Sequence, residues 1–208
     1  MRGLFIALEG GEGAGKSTQG RLLAEHLRGQ GHDVVHTREP GGTPAAEAIR
    51  AVVLSPEFAG LDARSEALLF AAARGEHAAR VIRPALERGA MVVCDRYLDS
   101  SVAYQGIGRD LGAGMIRDLS LWATQGLVPD LTIVLDIDPT VGLARIELPD
   151  RLEAEPIEYH LQVRRAFLDL AAAEPDRYLV IDASRDVGTI SALVIDRVDR
   201  LVASHRVP

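Results

Sequence analysis

The residues with the clearest chemical meaning form a glycine-rich loop that contains the only lysine of the chain. Residues 10–18 match the pattern G-x-x-x-x-G-K-[ST]. Glycines let the backbone curl so that successive N–H groups point at phosphate oxygens, and the helix that follows adds its positive N-terminus. The lysine is placed for the β- and γ-phosphates. The pattern therefore predicts a nucleoside triphosphate site made by Gly10, Gly11, Glu12, Gly13, Ala14, Gly15, Lys16, Ser17 and Thr18.

An acidic and a basic side chain follow a later apolar run, Met91–Cys94. Asp95, at the carboxyl end of a buried strand, can reach Mg²⁺ or its waters, and the Ser17 hydroxyl is placed to ligate the same ion. Arg96 can hold a second phosphate group. An ordinary surface ion pair between Asp95 and Arg96 is the alternative. Ser17 and Asp95 are therefore candidate metal ligands, and Arg96 is a candidate catalytic residue.

The apolar pattern predicts the elements that position these residues. Five short apolar runs are typical of buried strands: Leu4–Leu8, Val34–His36, Met91–Cys94, Leu131–Leu135 and Tyr178–Ile181. Amphipathic stretches between them predict helices over Ser17–Arg28, Ala45–Leu54, Arg64–Arg88, Ala113–Thr124, Glu158–Ala173 and Val187–Ala203. This alternation indicates a parallel sheet covered on both faces, in one α/β domain over residues 1–208. The polar, proline-containing segment 145–156 is the best candidate for a mobile surface segment.

The composition excludes several classes of protein. With 47% hydrophobic and 25% charged residues, the 208-residue chain is neither disordered nor fibrous. Thirty acidic against 23 basic residues give a net charge of −7, so neither nucleic acid nor a membrane is an expected partner. The single cysteine excludes an intrachain disulfide framework. No apolar run approaches ~18 residues and no signal pattern is seen, so we expect a cytoplasmic protein.

Further motifs resemble those of bacterial thymidylate kinases, which are phosphate-loop nucleoside monophosphate kinases. Besides residues 9–17, the similar motifs are Thr-Arg-Glu-Pro-Gly-Gly at 37–42, Leu-Phe-Ala-Ala-Ala-Arg at 69–74, Cys-Asp-Arg-Tyr at 94–97 and Ala-Tyr-Gln-Gly at 103–106. The resemblance implies a three-layer P-loop NTPase fold, with a five-stranded parallel sheet flanked by helices and a short lid. It also implies ATP-dependent phosphorylation of dTMP to dTDP, with ATP as co-substrate, Mg²⁺ as cofactor and a homodimeric assembly.

Two side chains of the second motif suit a nucleobase. Phe70 and Arg74 are four residues apart on one predicted helix, so they face the same way. The resemblance implies that Phe70 stacks on thymine and that Arg74 hydrogen-bonds the exocyclic oxygen of the base. Stacking of a base on an aromatic ring contributes ~1–3 kcal/mol. The alternative from the residues alone is that Phe70 is a core residue of an amphipathic helix.

The Ala-Tyr-Gln-Gly motif adds polar groups. Ser101 and Gln105 are also four residues apart, and the resemblance implies that both contact thymine. It places Tyr104 under the sugar, where a ribose 2′-hydroxyl would clash, and Glu12 on the 3′-hydroxyl side of dTMP near the reacting phosphates. Read without the resemblance, Ser101 is a helix cap and Tyr104 a half-buried packing residue.

The phosphate of the acceptor nucleotide needs cations. The resemblance implies that Arg50 and Arg96 clamp the dTMP phosphate, with Arg38 and Glu39 beside them; arginine suits this because its planar fork grips phosphate through two hydrogen bonds. No general base is required, because the second pKa of the phosphate is near ~6 and the nucleophile is already largely ionised. Lys16 and Arg96 are therefore candidate catalytic residues that position and neutralise the transferring group. The resemblance adds Glu12, near the reacting phosphates, as a third candidate.

The predicted lid supplies the remaining catalytic candidates. The phosphate loop carries no arginine, and in the similar enzymes a closing lid provides it. Segment 145–153 is shorter and poorer in arginine than expected, which leaves Arg145 and Arg151. We expect these arginines to have no acidic partner other than phosphate, and we expect the segment to bury little apolar surface.

Two other functions fit the same motifs. One is a kinase for another nucleotide or deoxynucleoside. The other is a switch that binds nucleotide and changes partners without catalysis. The chain contains no asparagine and so lacks the Asn-Lys-x-Asp motif by which many such switches read guanine.

Overall fold

A single parallel β-sheet forms the centre of the computed structural model, which describes residues 2–205. Its strand order is β2-β3-β1-β4-β5, and each neighbouring pair is parallel. The central strands β1, β3 and β4 are buried almost throughout, which agrees with their continuous apolar sequences. All five predicted strands are confirmed, with small shifts at their ends: β1 Phe5–Glu9, β2 Val34–Arg38, β3 Met91–Asp95, β4 Leu131–Asp136 and β5 Tyr178–Asp182.

Helices cover both faces of the sheet. Within residues 2–205 they are α1 Lys16–Gly29, α2 Pro44–Leu54, α3 Ala63–His77, α4 Arg83–Glu87, α5 Leu98–Ser101, α6 Ala113–Ala123, α7 Pro139–Leu143, α8 Ile157–Ala173 and α9 Val187–His205. Residues of α1 and α9, such as Leu23 and Val198, pack on one face, and residues of α3–α6 and α8 pack on the other. The predicted three layers are therefore confirmed.

The helix predicted over Arg64–Arg88 is interrupted. Its middle, Ala78–Ile82, is a π-helical turn between α3 and α4. Pro84 explains the wider turn, because proline lacks an N–H and its ring clashes with the carbonyl of the residue four positions earlier. A second π-helical turn, Val102–Gly108, continues α5. Such turns are frequent at functional sites, and this one carries the Ala-Tyr-Gln-Gly motif.

The order of the strands brings the charged ends of three of them together. Strands β2, β3 and β1 are adjacent, so Arg38, Asp95 and Glu9 end side by side at the carboxyl edge of the sheet. Ligands of open α/β sheets bind outside this edge. No helix within residues 2–205 has both the length and the apolar content needed to cross a membrane.

Candidate active site at the carboxyl edge of the sheet

The loop between β1 and α1 has the geometry of a phosphate cradle. Gly10, Gly13 and Gly15 have φ values of 131°, 65° and 91°, which glycine adopts without strain. Lys16 Nζ donates to the carbonyl oxygens of Gly10 (3.2 Å) and Gly11 (2.7 Å). Burial, and then the nearby Arg96, lower the pKa of Lys16. The ammonium group of Lys16 is thus held against the phosphate loop, where a bound anion would stabilise its positive charge.

Ser17 and Asp95 lie together beside this loop. Ser17 Oγ donates to Asp95 Oδ2 over 2.5 Å. Hydroxyl and carboxylate oxygens are the hard donors that Mg²⁺ takes in proteins, usually with several waters and substrate phosphates. Across the described residues there is no group of three or more histidine, cysteine, aspartate or glutamate side chains that could hold a metal alone. The donor set therefore fits a cation held mainly by a nucleotide.

Glu12 is the meeting point of two other candidate residues. Arg96 Nη2 donates to Glu12 Oε1 over 2.7 Å, and the Tyr104 hydroxyl donates to the same oxygen over 2.6 Å. The Arg96 guanidinium also lies 5.1 Å from the centre of the Tyr104 ring. Burial alone would raise the pKa of Glu12, but Arg96, Lys16 and the Tyr104 hydroxyl lower it to about 2. Glu12 is therefore a carboxylate at neutral pH.

A buried carboxyl group that the sequence analysis did not single out supports Arg96. Glu9 is fully buried, and its Oε1 accepts from the backbone N–H groups of Tyr97 (2.8 Å) and Ser100 (3.2 Å). Ser100 Oγ donates to Glu9 Oε2 and accepts from Arg96 Nη1. Burial and the neighbouring Asp99 raise the pKa of Glu9 to about 8. The sequence carried one sign of this role, because Glu9 is a charged residue at the end of an otherwise apolar strand.

The backbone of Arg96 has an uncommon conformation that this network maintains. Its φ is 66°, in the left-handed region that residues other than glycine seldom adopt. The side chain also donates to Gly10 O over 3.0 Å, which ties β3 to the phosphate loop. Because such strain persists only where the surroundings enforce it, the direction of Arg96 is a built feature of the site.

A cavity of about 580 Å³ adjoins the phosphate loop. Besides Pro40, Leu54, Ser100, Asp150, Leu152 and Glu153, it is lined by nine of the predicted substrate-binding residues: Glu12, Glu39, Arg50, Phe70, Arg74, Arg96, Ser101, Tyr104 and Gln105. The tenth, Arg38, lines the neighbouring cleft of the phosphate loop together with Arg50 and Arg96. The predicted nucleotide-acceptor residues are thus brought together in two clefts that touch.

Arg74 lines this cavity, and three hydrogen bonds fix its guanidinium group. Its Nε donates to Glu39 Oε2 (2.7 Å), Nη1 to Ser120 Oγ (3.0 Å) and Nη2 to the Tyr97 carbonyl (3.2 Å). His77 Nδ1 donates to the other oxygen of Glu39 over 2.9 Å, so this carboxylate is itself fixed. Three bonds use three of the five guanidinium hydrogens, and the remaining N–H groups are donors for a ligand.

Phe70 lies one helical turn before Arg74 and lines the same cavity. Ser101 Oγ also lines it and, among the described residues, has no hydrogen-bond partner although it is buried. A buried hydroxyl without a partner is costly, so its position suits a polar ligand atom. The cavity thus combines an aromatic face, a fixed cation and a free hydroxyl.

Positive charge concentrates where the two clefts meet. Arg50 Nη1 donates to Pro40 O over 3.0 Å, and Arg38 pairs with Glu47 on the exposed side. Burial, and then the charge of Arg38, lower the pKa of Arg50. Because the positive charges of Arg38 and Arg50 repel each other, an anion such as a phosphate group between them would be favourable.

The segment between α7 and α8 differs in part from the prediction. Arg145 Nη1 donates to Gly13 O over 2.8 Å, so this arginine lies beside the phosphate loop. Arg151 instead is buried: its Nη1 pairs with Glu66 Oε2 over 2.7 Å, and its Nε donates to Val53 O. The expectation that Arg151 has no acidic partner is therefore wrong. Its guanidinium is committed to α3, which leaves Arg145 as the lid arginine nearest the phosphate loop.

The expectation that this segment buries little apolar surface is also wrong. Leu152 is only 6% exposed and packs in the apolar cluster that contains Phe70 and Tyr104. The aspartate-led turn before it is stabilised by Asp150, which accepts from the backbone N–H groups of Leu152 and Glu153. The segment is thus anchored at residues 150–153.

Comparison with known proteins agrees with this geometry. A family model described as thymidylate kinase matches residues 8–194. The chain is 58% identical over 201 residues to a thymidylate kinase of Leifsonia xyli subsp. xyli, covering 95% of each chain. It is 55% identical over 208 residues to one of Clavibacter sepedonicus, covering 98% of each. A crystal structure of thymidylate kinase from Ehrlichia chaffeensis superposes with a TM-score of 0.80 at 35% identity, covering 96% of this chain and 99% of that one.

The raised pKa of Glu9 predicts a pH dependence of stability. The pKa is about 8 in the folded protein and near 4.5 in the unfolded chain, so only the folded state holds this proton between those pH values. The stabilisation from Glu9 is complete below about pH 4.5 and is lost as the pH rises towards 8, at up to ~1.4 kcal/mol per pH unit. Urea denaturation of Glu9→Gln between pH 5 and 8 should lack this slope. The exposed control Glu57→Gln should keep it, and a Glu9→Gln protein with the wild-type slope would contradict the assignment.

Proposed function

The chain belongs to the thymidylate kinase family and is an enzyme that phosphorylates dTMP with ATP, and we propose that it transfers the γ-phosphoryl group in line, assisted by Mg²⁺ and by Arg145. The observation that carries this proposal is that the cleft of the phosphate loop shares a wall with the cavity lined by Phe70 and Arg74, which we call the base cavity. Glu12, Glu39, Arg50, Arg96 and Glu153 line both clefts. A triphosphate in one cleft and a monophosphate in the other would therefore meet beside Arg96.

The chain's own cations do the work of transfer in this proposal. The attacking oxygen of dTMP is already ionised, so the residues need only align the two nucleotides and neutralise charge on the transferring group. Lys16 and Arg96 are fixed by the loop carbonyls, and Arg145 by Gly13. Such preorganised donors stabilise developing charge without reorganisation. Ser17 and Asp95 would hold Mg²⁺, which would supply positive charge to neutralise the phosphates.

The base cavity would select the acceptor. Phe70 would stack on thymine, Arg74 would donate to its exocyclic oxygen, and Ser101 and Gln105 would complete the polar contacts. Tyr104, held by Glu12, would lie under the deoxyribose and leave no room for a 2′-hydroxyl. Glu12 would then lie on the 3′-hydroxyl side of the sugar.

The chain would work as a homodimer. Large apolar side chains stand exposed on the neighbouring helices α3 and α6: Leu68 (58%), Met115 (67%) and Trp122 (81%). Contiguous exposed apolar surface is typical of an interface between subunits. We also propose that residues 1–208 act as one kinase domain with a lid at 145–156, in the cytoplasm, without nucleic acid or membrane as partners.

Substrate preference tests the proposal directly. In a coupled ADP-release assay, kcat/KM for dTMP should exceed that for dCMP and for purine monophosphates by at least ~10²-fold, because mismatched bases leave buried polar groups unpaired. Arg74→Ala should raise KM for dTMP and narrow this preference. Equal efficiency with dTMP and dCMP would contradict the role of Arg74. Absence of product with every monophosphate would indicate a nucleotide-dependent switch.

Lys16→Ala should abolish phosphoryl transfer while the protein stays folded. The change removes one positioned cation from the transferring group, which costs several kcal/mol of transition-state stabilisation and so lowers kcat by about 10³-fold. Circular dichroism checks the fold, and the control Arg88→Ala, at an exposed ion pair, should keep full turnover. Normal turnover in folded Lys16→Ala protein would contradict the proposed role of Lys16 in phosphoryl transfer.

Arg145→Ala should lower kcat by about 10³-fold with little change in dTMP affinity, because its interaction is made mainly in the transition state. Arg151→Ala is the matched control. It removes one of the two arginines that pair with buried Glu66, so it should chiefly lower the free energy of unfolding, by about 3 kcal/mol, rather than kcat.

Hydrogen exchange gives a second measure of the lid. Amides of residues 145–149 should exchange more slowly when an ATP analogue and dTMP are both bound, because closure onto phosphate would order them. If Arg145→Ala turns over normally and exchange does not respond to ligands, the catalytic arginine must be sought among Arg38, Arg50 and Arg96.

Trp122→Glu should separate the proposed dimer into monomers, because it places a charge in an apolar interface. Light scattering after size-exclusion chromatography measures the mass. Leu148→Glu, at a side chain that is 90% exposed in the lid, is the matched control and should leave the mass unchanged. A wild-type protein that is monomeric at micromolar concentration would refute this assembly.

A further inference from the structure

Glu66 is fully buried and accepts hydrogen bonds from three side chains, which come from two parts of the chain. Gln105 Nε2 donates to its Oε1 over 2.8 Å. Arg109 Nη2 donates to Oε2 over 3.2 Å, and Arg151 Nη1 pairs with the same oxygen over 2.7 Å. Arg109 also pairs with Glu155 over 2.6 Å. We call these five residues the Glu66 cluster; two arginines and two glutamates make it electrically neutral.

The cluster lies directly beside the base cavity. Glu66 is four residues before Phe70 and eight before Arg74 on α3, so the three side chains follow one face of the helix. Gln105 belongs to the cluster and also lines the cavity. Glu66 itself does not line the cavity, and Gln105 is the cavity-lining side chain to which it is hydrogen-bonded.

Chemistry decides which end of the Gln105 amide faces Glu66. Two guanidinium groups, which can only donate, bond to the carboxylate of Glu66, and carboxylate oxygens accept hydrogen bonds. The NH₂ end of Gln105 must therefore point to Glu66, and the oxygen at its other end remains as an acceptor. The assignment follows from the bonding network and needs no distinction between nitrogen and oxygen positions.

Arg74 supplies the complementary group in the same cavity. Its guanidinium is fixed by Glu39, Ser120 and the Tyr97 carbonyl, and it can only donate. The cavity therefore offers a fixed donor and a fixed acceptor. Thymine carries an acceptor at position 4 and a donor at position 3, and cytosine carries the reverse pair.

We propose that Glu66 is a positioning residue for base specificity, which holds the Gln105 amide so that its oxygen accepts from the N3–H of thymine. The proposal rests on the proposed function and assigns a role to a residue that does not touch the substrate. Rotation of the amide would turn its NH₂ end to position 3, and that end suits cytosine. The hydrogen bond to the Glu66 carboxylate prevents this rotation.

The test compares kcat/KM for dTMP and dCMP in wild-type protein and in Glu66→Gln. A glutamine at position 66 can donate as well as accept, so Gln105 can rotate, and the preference for dTMP should fall at least about tenfold. The ratio is the informative quantity because damage to the lid or the fold lowers both efficiencies together. The control Asp130→Asn loses a carboxylate that accepts from Arg2 and the Phe5 N–H, far from the site, and should keep the wild-type ratio.

A double-mutant cycle tests whether Glu66 acts through Gln105. In a Gln105→Met background, Glu66→Gln should cause no further change in the ratio. A wild-type ratio in folded Glu66→Gln protein, or a further change in the Gln105→Met background, would overturn the proposal. If the wild-type protein does not prefer dTMP, the proposed function fails first.

A measurement on the wild-type protein covers the case in which Glu66→Gln does not fold. The side-chain amide of Gln105 can be identified by NMR as the signal missing in Gln105→Met. Its protons should be protected from exchange before dTMP is added and remain so afterwards, because Glu66 holds them. Protons that are unprotected until dTMP binds would show the opposite orientation and overturn the proposal.

Discussion

The ion pair between Arg96 and Glu12 is the interaction on which the site depends. It joins the end of β3 to the phosphate loop over 2.7 Å, and its guanidinium lines both clefts. The partial burial of this pair is tolerated because Tyr104, Gly10 and Ser100 supply further hydrogen bonds to its two members. Removal of either partner would leave a partly buried charge without its partner where the two clefts meet.

Buried carboxyl groups form a second layer that fixes the cations of the site. Glu9 orients the turn that carries Arg96, and Glu39 holds Arg74. Glu66 ties the segment that carries Arg151 to α3, away from both clefts. Each carboxyl group lies at the end of a strand or in the first turn of a helix and so belongs to the rigid part of the fold. Arg96 and Arg74 are therefore held in place before any ligand binds, and such preorganisation is the property that electrostatic stabilisation requires.

Much of this arrangement could be predicted from sequence because the signals are local. The phosphate loop, the five strands and the i, i+4 pair of Phe70 and Arg74 follow from short-range spacing. The partnership of Glu66 with Arg151 could not be predicted, since the residues are 85 positions apart and a charged residue in a polar segment gives no sign of burial. Glu9 was missed for a related reason: its environment is made by α5, which reaches it only through the sheet topology.

On this arrangement of clefts, we infer that two nucleotides bind at once, with their phosphates meeting at Arg96. Isothermal titration with a molecule that links adenosine to thymidine through a chain of phosphates tests it most directly. We expect one molecule bound per chain, at least ~10²-fold more tightly than dTMP, because a single ligand then occupies both clefts. Two molecules bound per chain, or an affinity no higher than that of dTMP, would contradict it.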